Sequence, residues 1–131
     1  MKTILISFLF MLSLSTSGQT VSDLFKSMPT DLLPGVSEGN KTLLLVDTGQ
    51  TSVPYVLGEI SKIAHSDDFL YIRTSDVGDI QLKLLPLSND SLIVCLIQTV
   101  CTDVCDSRIN FFTTEWKKLD PQRYLTQFTA E

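Results

Sequence analysis

Three cysteines, one histidine and a set of turn carboxylates are the side chains with which this chain could do chemistry. Cys101 and Cys105 are separated by three residues, and Cys95 lies just upstream in an apolar run. In an oxidising compartment a pair so spaced could form a disulfide, provided its Cα atoms come within roughly 7 Å. The closed loop would be very short, so the chain-entropy gain would be on the order of 1–3 kcal/mol at most. Cys95 would then remain a small buried hydrophobe. Unpaired thiols and a thiol–disulfide redox pair are the other readings of Cys101 and Cys105. The redox reading has less support, because the spacing is not Cys-x-x-Cys and no helix start follows Cys101 to lower a thiol pKa.

His65 is followed by Ser66, Asp67 and Asp68, so a metal site or a Ser/His/Asp arrangement can be written down. One imidazole cannot supply a zinc site built on several nitrogen ligands, and the thiols are distant in sequence. Neighbouring turn residues cannot provide triad geometry among themselves. The simpler reading is a polar turn between strands. Asp67, Asp68, Asp76 and Asp79 could gather at one end of a sheet, but calcium takes roughly six to eight oxygen ligands and no EF-hand pattern is present. Glu59 and Glu115 could be paired as acids for glycoside hydrolysis, yet nothing in the sequence fixes their separation. There is no glycine-rich phosphate loop and no Gly-x-Ser-x-Gly elbow. No catalytic, cofactor-binding or metal-binding residue is therefore assigned. The aromatics Tyr71, Phe111, Phe112 and Trp116 occupy positions compatible with a core.

The compartment is read from the first residues. Met1-Lys2 makes a short positive start, Thr3 to Leu14 is almost wholly apolar, and Ser15-Thr16-Ser17-Gly18 supplies small residues. That order is a secretory signal, with cleavage expected after Gly18. The apolar run is too short for a membrane span, which takes roughly 20 residues. No cysteine follows it to carry a lipid, and no later stretch reaches spanning length. The expectation is one soluble exported domain over residues 19–131, in the periplasm, associated with the outer membrane, or extracellular. The net charge is −5, and the proposed leader carries one of the positive residues, Lys2. An acidic chain without a Lys/Arg cluster argues against nucleic acid and against electrostatic docking on anionic lipid.

The elements that would position these groups follow from periodicity. Val21 to Met28 reads as a helix capped by Ser22, with Leu24, Phe25 and Met28 on one face, ended by Pro29. Ser37 to Asn40 reads as a turn. Lys41 to Asp47 suits either a helical turn or a buried strand, and Thr48 to Pro54 reads as loop. Strands are predicted over Tyr55–His65, Phe69–Thr74, Ile80–Leu85, Leu92–Val100 and Arg108–Thr114. The Leu92–Val100 run is apolar at nearly every position, as in a strand covered on both faces. Cys101 to Ser107 reads as loop. Glu115 to Phe128 resumes helical spacing, with Pro121 at a helix start. The predicted class is α+β: an N-terminal helical segment packed on a four- to five-stranded antiparallel meander, followed by a C-terminal helical segment.

Several stretches resemble one family. They are Asp23-Leu24-Phe25-Lys26-Ser27-Met28-Pro29-Thr30-Asp31-Leu32-Leu33-Pro34, Lys83-Leu84-Leu85-Pro86, Thr99-Val100-Cys101, and Asp106-Ser107-Arg108-Ile109-Asn110-Phe111-Phe112-Thr113 with Trp116. Together they are similar to a family of small exported proteins of unknown function from Bacteroides-type bacteria (Bacteroidales). The resemblance spans most of the region after the leader. It implies an envelope location and a non-enzymatic default, and it offers no catalytic residues to carry over. Family members continue beyond the Trp116 region with more sheet-forming sequence, so a short or truncated member is expected. In that case the Arg108–Thr114 strand or the aromatic face after it would be left open. Arg108, Phe112, Trp116 and Tyr124 are accordingly marked as a candidate interaction surface.

The function expected is a non-catalytic envelope protein that binds another protein or an envelope component. The alternatives are a thiol–disulfide redox protein using Cys101 and Cys105, and a binder of small molecules between helix and sheet. The oligomeric state is left open.

Overall fold

The computed structural model describes residues 19–46, 51–87 and 91–125, so the proposed leader lies outside the described residues. Helices α1 (Val21–Ser27) and α2 (Glu38–Leu45) precede strands β1 (Thr51–Tyr55), β2 (Gly58–His65), β3 (Phe69–Arg73) and β4 (Gly78–Pro86). Strands β5 (Leu92–Cys101), β6 (Cys105–Thr113) and β7 (Lys118–Leu119) follow, then the short helix α3 (Gln122–Leu125). The strands form one sheet in the order β1-β2-β3-β4-β5-β6-β7, each antiparallel to its neighbour in sequence. The meander is as expected, but among the described residues it holds seven strands rather than four or five, and the sheet dominates the fold over the short helices.

Local chemistry explains the helices. Thr20, not Ser22, caps α1: its hydroxyl accepts from the Asp23 N–H at 3.3 Å, and its own N–H donates to the Asp23 carboxylate at 3.2 Å. This reciprocal pair satisfies two N-terminal donors that have no helical acceptor. Ser22 instead falls in the first turn. The stretch expected as a turn, Ser37 to Asn40, is the cap and first turn of α2, where the Ser37 hydroxyl accepts from the Asn40 N–H at 3.1 Å. The ambiguous apolar run is thus helical at Leu43 to Leu45, with Leu44 inward and Leu43 exposed.

Two further expectations are corrected. Tyr55 to His65 is not one strand, and Thr51 to Pro54 is not loop. The chain reverses at Val56-Leu57, pairing Tyr55 with Gly58, and Gly58 takes φ +120°, a conformation that other residues rarely adopt. The C-terminal helix expected from Glu115 is replaced by a turn and by β7. The Thr113 hydroxyl accepts from the N–H groups of Glu115 and Lys117, and Trp116 adopts φ +64°, which no right-handed helix can contain. Helix α3 then follows Pro121, and its predicted extension to Phe128 lies outside the described residues.

The sheet carries two apolar faces of unequal size. On one, Val21, Leu24 and Phe25 of α1 and Leu44 of α2 pack on Ile60, Leu70, Ile72, Leu82, Val94, Leu96 and Phe112. On the other, Ile93, Cys95 and Phe111 are covered by Leu119, Tyr124 and Leu125. The first half of β5 is therefore buried on both faces, which is why its sequence lacks alternation. The second half of β5 and most of β6 extend past both layers as a hairpin.

Candidate functional site

The hairpin is held by an unbroken register from Ile93–Thr113 to Cys101–Cys105, and a disulfide joins that last cross-strand pair. The half-cystines close β5 and β6 at a tip of Thr102, Asp103 and Val104, so the predicted loop from Cys101 to Ser107 is mostly strand. Cys95 is a free, buried thiol whose pKa is pushed up by burial, the opposite of what a nucleophilic thiol needs. Thr99 and Ser107 share a hydroxyl hydrogen bond of 2.9 Å across the hairpin.

The outer edge of β6 is unpaired over most of its length among the described residues. Strand β7 pairs only with Phe111 and Phe112, so Cys105 to Asn110 have no ladder partner on that side among the described residues. The Thr113 N–H donates toward β7, to Lys117, at 2.9 Å. Backbone groups alternate in direction along a strand. Hence Cys105, Ser107 and Ile109 aim N–H and C=O outward, while Asp106, Arg108 and Asn110 spend theirs on β5. Exposed apolar side chains surround this edge: Val104 is 78% exposed, Val100 51% and Ile109 38%. Gln98, Val100, Asp106 and Arg108 line a shallow open depression on the helix-bearing side.

The four residues predicted as one interaction surface are divided. Phe112 is 6% exposed and belongs to the main core. Trp116 lies against it with ring centroids 5.3 Å apart, and its indole N–H donates to the Ser27 hydroxyl at 3.1 Å. Tyr124 sits on the opposite face, 5.3 Å from Phe111. Only Arg108 lies at the open edge. Sequence reasoning marked the strand but not its neighbours Asp106, Ser107 and Ile109, because the exposed edge follows from the shortness of β7.

His65 does find a hydroxyl, but not in its own turn. Its Nε2 lies 2.7 Å from the Ser22 Oγ on α1. Its Nδ1 is buried without a hydrogen-bond partner, so no carboxylate orients the ring as a general base would require. Burial lowers its pKa most, Lys62 lowers it further, and Asp67 opposes them. Two of the four turn carboxylates, Asp68 and Asp79, are held in separate pairs. Asp68 accepts from Lys83 at 2.6 Å and from the Ser66 hydroxyl at 3.0 Å, and the Lys83 bond is the chief reason its pKa is lowered. Asp79 faces Arg73 at 3.4 Å. Glu59 lies on β2 and Glu115 beyond β6, near opposite edges of the sheet. Among the described residues no three His, Cys, Asp or Glu side chains gather as metal ligands, and no helix is long and apolar enough to cross a membrane.

The sequence profile of the family described as "Protein of unknown function (DUF3256)" matches residues 13–131. The chain belongs to the DUF3256 family. A solved structure of a domain of an uncharacterized protein from Porphyromonas gingivalis W83, a Bacteroidales bacterium, is similar to it in fold and sequence. The identity is 32%, the TM-score 0.70, and the match covers 79% of this chain and 55% of that one. The DUF3256 chain thus spans about half the length of its solved neighbour. No curated protein matches.

Proposed function

We propose that this DUF3256 member is an exported envelope protein that acts by binding another protein through the open edge of β6. The exposed edge from Cys105 to Asn110 carries the reading: outward backbone donors and acceptors are a template for an added strand. The disulfide at the tip and the buried base of β5 hold that edge extended before any partner arrives, which lowers the ordering cost of association. The apolar residues around it supply area that a strand alone lacks. Export rests on the charged, apolar and small-residue order of residues 1–18.

The test is a photo-crosslinking residue at Ser107, with one at Glu59 as control, followed by recovery of adducts from the native envelope fraction. A discrete adduct at Ser107 that survives high salt and is lost on Ile109→Pro is expected. Proline there removes an outward N–H without touching the bonds to β5. No adduct, or the same adducts from Glu59, would refute the edge as the docking site. A thiol–disulfide role is the second reading, favoured by the exposure of Cys105 at the hairpin tip. A reduction potential below about −300 mV for the pair would mark it as structural and end that reading.

A further inference from the structure

We infer that the strand received by the β6 edge is the β6 edge of a second copy, paired antiparallel about a two-fold axis at Ser107. This rests on the edge reading above and names its partner. An isologous strand pair places residue i opposite residue j with a constant sum, and opposed side chains lie on one face. Within Cys105 to Asn110, an axis at Arg108 or Ile109 carries the second copy's strand onto Phe111, which β7 already pairs, so the axes at Asp106 and Ser107 are the ones that clear β7. An axis at Asp106 sets two carboxylates against each other, and one at Arg108 sets two guanidinium groups against each other. An axis at Ser107 sets Asp106 against Arg108 of the second copy, twice over. Directly opposed like charges destabilise a strand pair and opposite charges stabilise it.

The backbone agrees with the same axis. Ser107 is one of the residues whose N–H and C=O aim outward, so the two copies of Ser107 would exchange both bonds. Cys105 and Ile109, also outward, fall opposite each other and complete the ladder at both ends. Within one copy neither charge is already matched across the hairpin: Asp106 stands opposite Val100, and Arg108 opposite Gln98. Both are exposed, and both border the same shallow depression. A self-complementary charge pattern, centred on a strand whose outer edge has no ladder partner among the described residues, fits a two-fold contact. The ladder is short, so the association is expected to be weak and visible only by concentration dependence.

The test is sedimentation of the purified protein over a concentration series, with Asp106→Arg, Arg108→Asp and the double exchange, each checked for fold by circular dichroism. The parent should show a mass rising toward twice that of one chain. Each single reversal sets like charges in opposition and should weaken self-association at least tenfold. An equimolar mixture of the two single variants should restore it as a one-to-one heterodimer, and the double exchange should self-associate like the parent. A parent that stays monomeric throughout, or a mixture that fails to restore association, overturns the inference. If that happens while Ser107 still crosslinks a different envelope protein, the edge reading stands and the second copy is wrong. If Ser107 yields no adduct either, both fail.

Discussion

Lys41 offers a direct test of how the two N-terminal helices are joined to each other. Its side chain is 0% exposed, and its ammonium donates to the Met28 carbonyl at the end of α1 at 3.0 Å. Glu38 lies 3.8 Å away but is itself largely exposed, so it contributes little. Lys41→Ala removes three methylenes from the core, worth about 2.4 kcal/mol at about 0.8 kcal/mol each. It also strips the Met28 carbonyl of a charged donor, about 1–3 kcal/mol. Part of this is offset because an ammonium no longer has to be taken out of water. The net expectation is a loss of about 3 kcal/mol. Lys41→Met keeps the stem volume, and the lost hydrogen bond is set against the relieved desolvation, so it should cost less than about 1.5 kcal/mol. Urea unfolding at fixed pH measures both, read as midpoint shifts at constant slope. If the Met variant loses as much as the Ala variant, the stem-burial reasoning is wrong and the ammonium contact itself holds α1 to α2.

His65 should make stability depend on pH. Its folded pKa is lowered below 6.5, chiefly by burial, so the unfolded chain binds the proton more readily. The stabilising difference is complete above the unfolded value and is lost as pH falls through it toward the folded pKa. Unfolding midpoints between pH 7.5 and 5 should therefore fall for the parent and fall less for His65→Gln, and an identical fall would refute the assignment. Replacing both Cys101 and Cys105 by serine opens a loop with a sequence separation of 4, for which the chain-entropy estimate is about 2 kcal/mol. Amide exchange should then quicken at Val100 to Asp106 and stay unchanged at Val94 and Leu96; quickening throughout β5 would show that the disulfide supports the core.

Strands β3 and β4 were legible because their inward residues alternate: Leu70 with Ile72, and Ile80 with Leu82 and Leu84. The doubly covered part of β5 was legible from its unbroken apolar run. Strand β1 was not, because Pro54 and the flanking polar residues resemble loop and only Val53 is fully buried. The β1–β2 reversal was hidden because Val56 and Leu57 continue a strand-like pattern while lying exposed at the turn. The contact of Ser22 with His65 joins residues 43 apart, and the open edge of β6 is a property of register. Neither leaves a local trace in composition or periodicity. The family resemblance, by contrast, was carried by short blocks of sequence, all of which lie inside the DUF3256 match over residues 13–131.

The unbroken order of strands also governs how the chain can acquire its structure. A polypeptide delivered from its N-terminus presents α1 and α2 first, yet the surface they must cover lies on β2 to β5 and β6, which arrive later. Each strand needs only the one before it, so the sheet can grow by adding one hairpin at a time without waiting for a distant segment to return. The helices gain their full apolar surface only when β5 closes on β4 and Phe112 of β6 is seated. Until then the nascent chain carries a growing free margin that moves strand by strand toward the C-terminus, and among the described residues Cys105 to Asn110 of β6 stay unpaired on that margin.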